Sequence, residues 1–194
     1  MNNQQQMQQR WLLIARGIGY ILLGVGLFVY ANTFTPAIGR TIGIITILAG
    51  LTGSAYARIN SRVDPNNFWI ILHGLNDTIF GIVFLITATQ GLKNFVDMLG
   101  FWALVYAFLQ AVRSMYAALM EGGASLYNLV NKLTHFASVL LAGYLAFDIL
   151  MRPIGFVQSL GIMGFFPIGL GILVILRTRL NDEKTVTIAE NRLK

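Results

Sequence analysis

An apolar pattern punctuated by glycine recurs in this chain, and each copy has the length of two membrane-crossing helices. Gly17 and Gly24 are seven residues apart, and Gly43 follows 19 residues later; Gly74, Gly81 and Gly100 repeat both spacings at an offset of 57. A looser third copy runs through Gly143 and Gly161, 18 residues apart. It is aligned by His73 with His135 and by Gly81 with Gly143, both at an offset of 62. An internal repeat constrains a fold more than any local feature, because one unit cannot bury its apolar face alone and the copies must cover one another. The expected architecture is one apolar hairpin used three times.

Composition decides the solvent. Of 194 residues 56% are hydrophobic and only 11% charged, against about 25% charged in soluble domains. Six stretches are long and apolar enough to span: Leu12–Ala31, Thr41–Ala57, Phe68–Ala88, Met98–Leu119, Leu133–Met151 and Ile154–Leu176. A helix crosses a hydrocarbon core of about 30 Å with about 20 residues. The fold class expected is all-α: a polytopic membrane protein with six transmembrane helices in three tandem two-helix hairpins. The second stretch is the shortest and calls for local thinning or snorkelling at its ends. Residues 1–10 read as a disordered polar segment and 11–177 as one six-helix domain with repeats near 11–60, 68–118 and 130–177. Residues 178–194 read as a charged tail.

Lys and Arg in the loops orient such a protein. Arg40, Lys93 and Arg152 lie on one side, and the other eleven of the 14 basic residues lie on the side of the termini. Both termini are therefore expected in the cytoplasm and the chain in a bacterial inner (plasma) membrane. The net charge of +6 is first a topology signal. The basic residues are spread over loops rather than gathered in a patch, which argues against nucleic acid and for contact with the anionic heads of the lipid bilayer. With no cysteine there is no disulfide framework or thiolate metal site. The first apolar run has full spanning length and no Ala-x-Ala-like site after it, so it reads as a retained anchor.

Glycine inside a membrane helix lets a neighbour approach closely. Gly17, Gly24, Gly43, Gly50, Gly74, Gly81, Gly100, Gly143 and Gly161 are read as packing residues, with hinges as the alternative. Gly19 and Gly26 add a second small stripe to the first span and predict a central place for it. The stripes serve contacts within or between chains, so a homo-oligomer or a membrane-protein partner stays open. Pro36 and Pro153 are placed in outer loops, where they end helices.

An ionisable group inside a span is a functional hypothesis by default. Asp77 lies about ten residues into the third span, with His73 one turn earlier on the same face. Such a pair relays a proton, or senses pH through the imidazole. The structural alternative is an Asp77 that is protonated, or hydrogen-bonded to Tyr20 or another buried partner. Repeat alignment places Arg16, His73 and His135 at one position, each one to two turns in from the cytoplasmic end. Snorkelling to the headgroups explains this; a basic ring around a shared axis is the alternative. Asp77 has no acidic counterpart, since Tyr20 and Val139 stand in its place. Gln110 and Arg113 read as packing and anchoring groups. There is no H-E-x-x-H, no Gly-x-Ser-x-Gly and no phosphate-binding glycine loop. No enzyme, cofactor or metal site is expected.

The Arg16-Gly17…Leu23-Gly24 and His73-Gly74…Phe80-Gly81 cores, the aromatic residue opening each of the first two hairpins and the Pro after the first span resemble the HdeD-like proteins. These are small six-span bacterial inner-membrane proteins built from short repeats of unknown function. The resemblance covers about residues 11–177. Copy two has Lys93 where copy one has Pro36, and copy three has Phe136 where the others have a core glycine. The resemblance implies a non-enzymatic membrane protein with a part in acid or envelope stress tolerance, and supplies no functional residues. The alternative is a small transporter or channel with a proton or small-solute path past Asp77 and His73.

Overall fold

The computed structural model describes residues 3–30, 32–61 and 67–120, scattered positions between 133 and 147, and residues 164–176, 178 and 179. All regular structure among them is helical: α1 (Asn3–Val29), α2 (Pro36–Ile59), α3 (Asn67–Thr87), α4 (Leu92–Met120) and the shorter α5 (Gly164–Leu176). Four of these helices are long and apolar enough to cross a membrane, as fits a membrane protein. The fifth expected span lies mostly outside the described residues, and α5 falls where the sixth is expected. α1 starts at Asn3 and so includes most of the Gln-rich prefix for which no structure was expected.

The loops differ from the sequence expectation in physical detail. Pro36 does not end α1; it opens α2, where its missing N–H is no loss. Thr35 caps it by accepting the Ile38 N–H on its hydroxyl at 3.4 Å. α2 thereby gains a turn and reaches 24 residues, long enough at about 1.5 Å per residue to cross without thinning. In copy two, with Lys93 in place of the proline, Gly91 makes the turn with φ +107°, a backbone conformation that glycine adopts without strain.

The glycines set the register. α2 and α3 run antiparallel with Gly43 facing Gly81 and Gly50 facing Gly74; a Cβ at Gly50 would lie 2.6 Å from the Gly74 carbonyl oxygen. α1 and α5 repeat this seam, with Gly24 on Gly164 and Gly17 on Gly171, where a Cβ at Gly17 would lie 3.0 Å from the Gly171 oxygen. The second helix of copy one thus holds the first helix of copy two, and α5, in copy three, holds the first helix of copy one. Both seams are glycine-on-glycine contacts between antiparallel helices of different copies.

The described seam of copy three uses two glycines that were not among the expected packing residues. In copy three the seam is made by Gly164 and Gly171; Gly161 lies outside the described residues. Gly143 shares a helical face with the exposed Phe136, Leu140 and Phe147, and a Cβ there would meet no described atom within 4 Å. α1 is central on one face only. Ile18, Leu22, Val25 and Phe28 are exposed, in the manner of side chains that meet lipid, and a Cβ at Gly26 on that side would meet no described atom within 4 Å.

Candidate functional site: a buried carboxylate between repeats

The core is aromatic where it is deepest. Tyr20, Phe84, Phe95 and Trp102 are fully buried, and Trp102 touches Phe84, Phe166 and Tyr106 edge-on at centroid distances of 6.4, 5.4 and 6.2 Å. Asp77 sits in this cluster with no exposed surface. An isolated carboxylate there would be prohibitively costly, so its partners carry the argument.

Three donors from two other helices supply them. Arg16 of α1 donates from Nη2 to Asp77 Oδ2 at 2.7 Å, an ion pair buried on both sides. Tyr20, one turn further along α1, donates its hydroxyl to the same oxygen. Trp102 of α4 donates its indole N–H to Oδ1 at 3.0 Å. Arg16 also donates to the Tyr20 hydroxyl from Nε and Nη2, at 3.0 and 2.7 Å, so cation, phenol and carboxylate form a closed triangle. Charge-assisted bonds of this kind are the strong ones. They tie α1 and α4 to α3.

His73 is not one of the Asp77 partners. The i, i+4 spacing puts both on one helical face, but the imidazole is laid against Tyr106, with centroids 4.4 Å apart and planes at 30°. Tyr106 in turn accepts a hydrogen bond from Gln110 at 3.4 Å. The snorkelling account of Arg16 is also corrected: its side chain is buried and turned inward, because Asp77 offers a better partner than headgroups. Among the expected site residues, then, Arg16 and Asp77 meet, His73 lies beside them, and His135 is outside the described residues.

The repeat explains how one site arises from two copies. At the 57-residue offset Arg16 corresponds to His73, Tyr20 to Asp77, and Gly53 to Gln110. Gly53 is a positioning residue that the sequence reading missed. A Cβ there would lie 3.0 Å from Arg16 Nη1 and 3.2 Å from its Cδ, so the bare glycine leaves a bed for the long side chain. Copy two reverses the sizes, with the shorter His73 and the longer Gln110 at these positions. Trp102 was missed as well. With the span drawn from Met98, Trp102 stood about one turn from an end, where tryptophan is ordinary; the span runs Leu92–Arg113 and puts it in the middle.

Trp102→Phe keeps the ring packing and removes one donor from a buried carboxylate. An interhelical hydrogen bond in a membrane protein is worth about 0.6 kcal/mol on average and up to about 1.7 kcal/mol, so the variant is expected to unfold somewhat earlier in a denaturant titration in detergent. An unchanged midpoint would show that Oδ1 does not depend on the indole.

With this geometry in place, comparison with known proteins adds one finding. No curated protein and no solved structure matches the chain. The family model for a short repeat of unknown function, DUF308, matches residues 15–86, a stretch that holds Arg16, Tyr20, His73 and Asp77 and stops before Trp102.

Proposed function

We propose that this chain is a non-enzymatic multi-pass protein of the bacterial inner membrane, of the HdeD-like type, with six spans, both termini in the cytoplasm and a part in acid or envelope stress tolerance. The observation that carries the non-enzymatic reading is the filled coordination of Asp77. A carboxylate that turns over substrate must exchange partners. This one is held by Arg16, Tyr20 and Trp102 inside an aromatic cluster, which is the chemistry of holding helices together. The six spans are supported by the threefold sequence repeat, the orientation by the bias of Lys and Arg, and the stress role by the glycine-spaced hairpin cores that carry the resemblance.

Cells lacking the protein are expected to die faster at low pH and to recover when it is restored; equal survival removes the stress role. Vesicles carrying inserted protein, with a pH-sensitive dye inside, are expected to leak protons no faster than protein-free vesicles. A flux that disappears with Asp77→Asn would replace this reading with transport.

A further inference from the structure

We infer that Asp77 is a proton-binding site reached from one face of the membrane only, the face on which α1 begins and α2 ends. The inference rests on the membrane-spanning reading and not on the stress role. Its basis is the distribution of buried polar side chains along the bundle. α1 and α3 enter from the same face, and α2, α4 and α5 return to it, so residues on all five helices can be ranked by level from the contacts at Asp77 and at the glycine seams.

Between Asp77 and that face the buried side chains include Arg16, His73, Gln110 and Arg113, with Asn60 and Asn67 at the helix ends. Asn67 donates its amide N–H to the Asn60 carbonyl there. Between Asp77 and the opposite face the described buried polar side chains are Thr46 and Thr87. Each returns its hydroxyl to its own helix, at 2.8 and 2.9 Å. The rest of the described core in that half is apolar. Phe84 packs on Phe95 at 5.3 Å and Phe95 on Phe34 at 4.9 Å, with Leu23, Leu27 and Leu99 fully or almost fully buried around them. Side chains that accept and donate hydrogen bonds can pass a proton or hold the waters that do; a layer of phenylalanine and leucine cannot. Among the described residues the site is thus polar toward one solution and apolar toward the other.

The described charged and titratable side chains around Asp77 are Arg16 and Tyr20 from α1, His73 on its own helix, and Tyr106 with the more distant Arg113 from α4. α2 and α5 present no buried titratable group among the described residues. A proton arriving from the near solution binds Asp77 Oδ2 or Oδ1, converts the carboxylate to a neutral carboxyl, and raises the charge of the site by one with Arg16 still cationic. No bond other than O–H forms, and nothing is delivered to the far side.

The test uses full-length protein with Trp11→Phe and Trp69→Phe, which leaves Trp102 as the sole tryptophan, its indole N–H resting on Asp77. Reconstituted in vesicles, with orientation read from protease cleavage of the C-terminal tail, the protein is exposed to acid on one side at a time. Trp102 emission is expected to change when the near solution is acidified and to stay constant when only the far solution is. The response should be lost in the Arg16→Met, Asp77→Leu double variant, which keeps the indole, removes the carboxyl and strands no charge. A response to the far solution, to both equally, or to neither overturns the proposal, as does a response that survives in the double variant. Loops cleaved from both faces in uninserted protein would remove the membrane reading itself, and the proposal with it; a far-side response would remove the proposal alone.

Discussion

Asp77→Leu is expected to destabilise the protein by about 3–5 kcal/mol, and adding Arg16→Met is expected to recover most of that loss. The asymmetry follows from what each variant leaves behind. The single change strands the guanidinium of Arg16, which is buried and already committed to an inward path over Gly53. The double change leaves two apolar side chains in an apolar cluster, a replacement that is often neutral for buried ion pairs. The lost hydrogen bonds alone do not reach this magnitude, since interhelical bonds in membranes average about 0.6 kcal/mol. The large figure belongs to the unpaired charge. Denaturant titration of the four proteins of the cycle in mixed micelles measures it. If the double variant is as unstable as the single one, the pair contributes through its hydrogen bonds and packing, and the charge argument fails.

The sequence showed the hairpin and its seams well because small-residue spacing on a helix translates directly into which face a neighbour can approach. The seven-residue steps of Gly17 and Gly24, Gly43 and Gly50, and Gly74 and Gly81 are the contacts the structure uses. Copy three was harder to read: its described seam runs through Gly164 and Gly171, which the expected packing residues did not include, and an approximate period does not distinguish positions three residues apart. Asp77 was visible as an ionisable group within a span, and Tyr20 as its counterpart at the same repeat position. What the sequence did not show was distance across helices. His73 was favoured because i, i+4 neighbours are certain to be close, whereas Arg16, 61 residues away, becomes a neighbour only once α1 and α3 stand side by side. The bed at Gly53 is legible only after Arg16 is known to turn inward, because a lone glycine carries no sign of what occupies the space it leaves.

Gly50→Ile and Gly26→Ile are expected to separate sharply, although both put the same side chain on a glycine in a membrane helix. At Gly50 the new Cβ would meet the Gly74 carbonyl oxygen at 2.6 Å and the Thr78 amide nitrogen at 2.8 Å. Both are backbone atoms of α3, so neither can turn aside as a side-chain end would, and α2 must move away from α3. Overpacking ordinarily costs about 1–3 kcal/mol and sometimes more, and a seam with backbone on both sides belongs at or above the upper end. At Gly26 no described atom lies within 4 Å, the side chain points outward with Leu22 and Val29, and the better helix propensity of isoleucine makes the change neutral or slightly stabilising. The comparison is informative because hydrophobicity, volume and helix propensity change equally in the two variants; only the opposing surface differs. Thermal unfolding in detergent should show an early transition for Gly50→Ile and a wild-type transition for Gly26→Ile. Equal tolerance would mean that α2 and α3 are not in backbone contact at Gly50. The register that places Asp77 level with Arg16 would then lose its anchor.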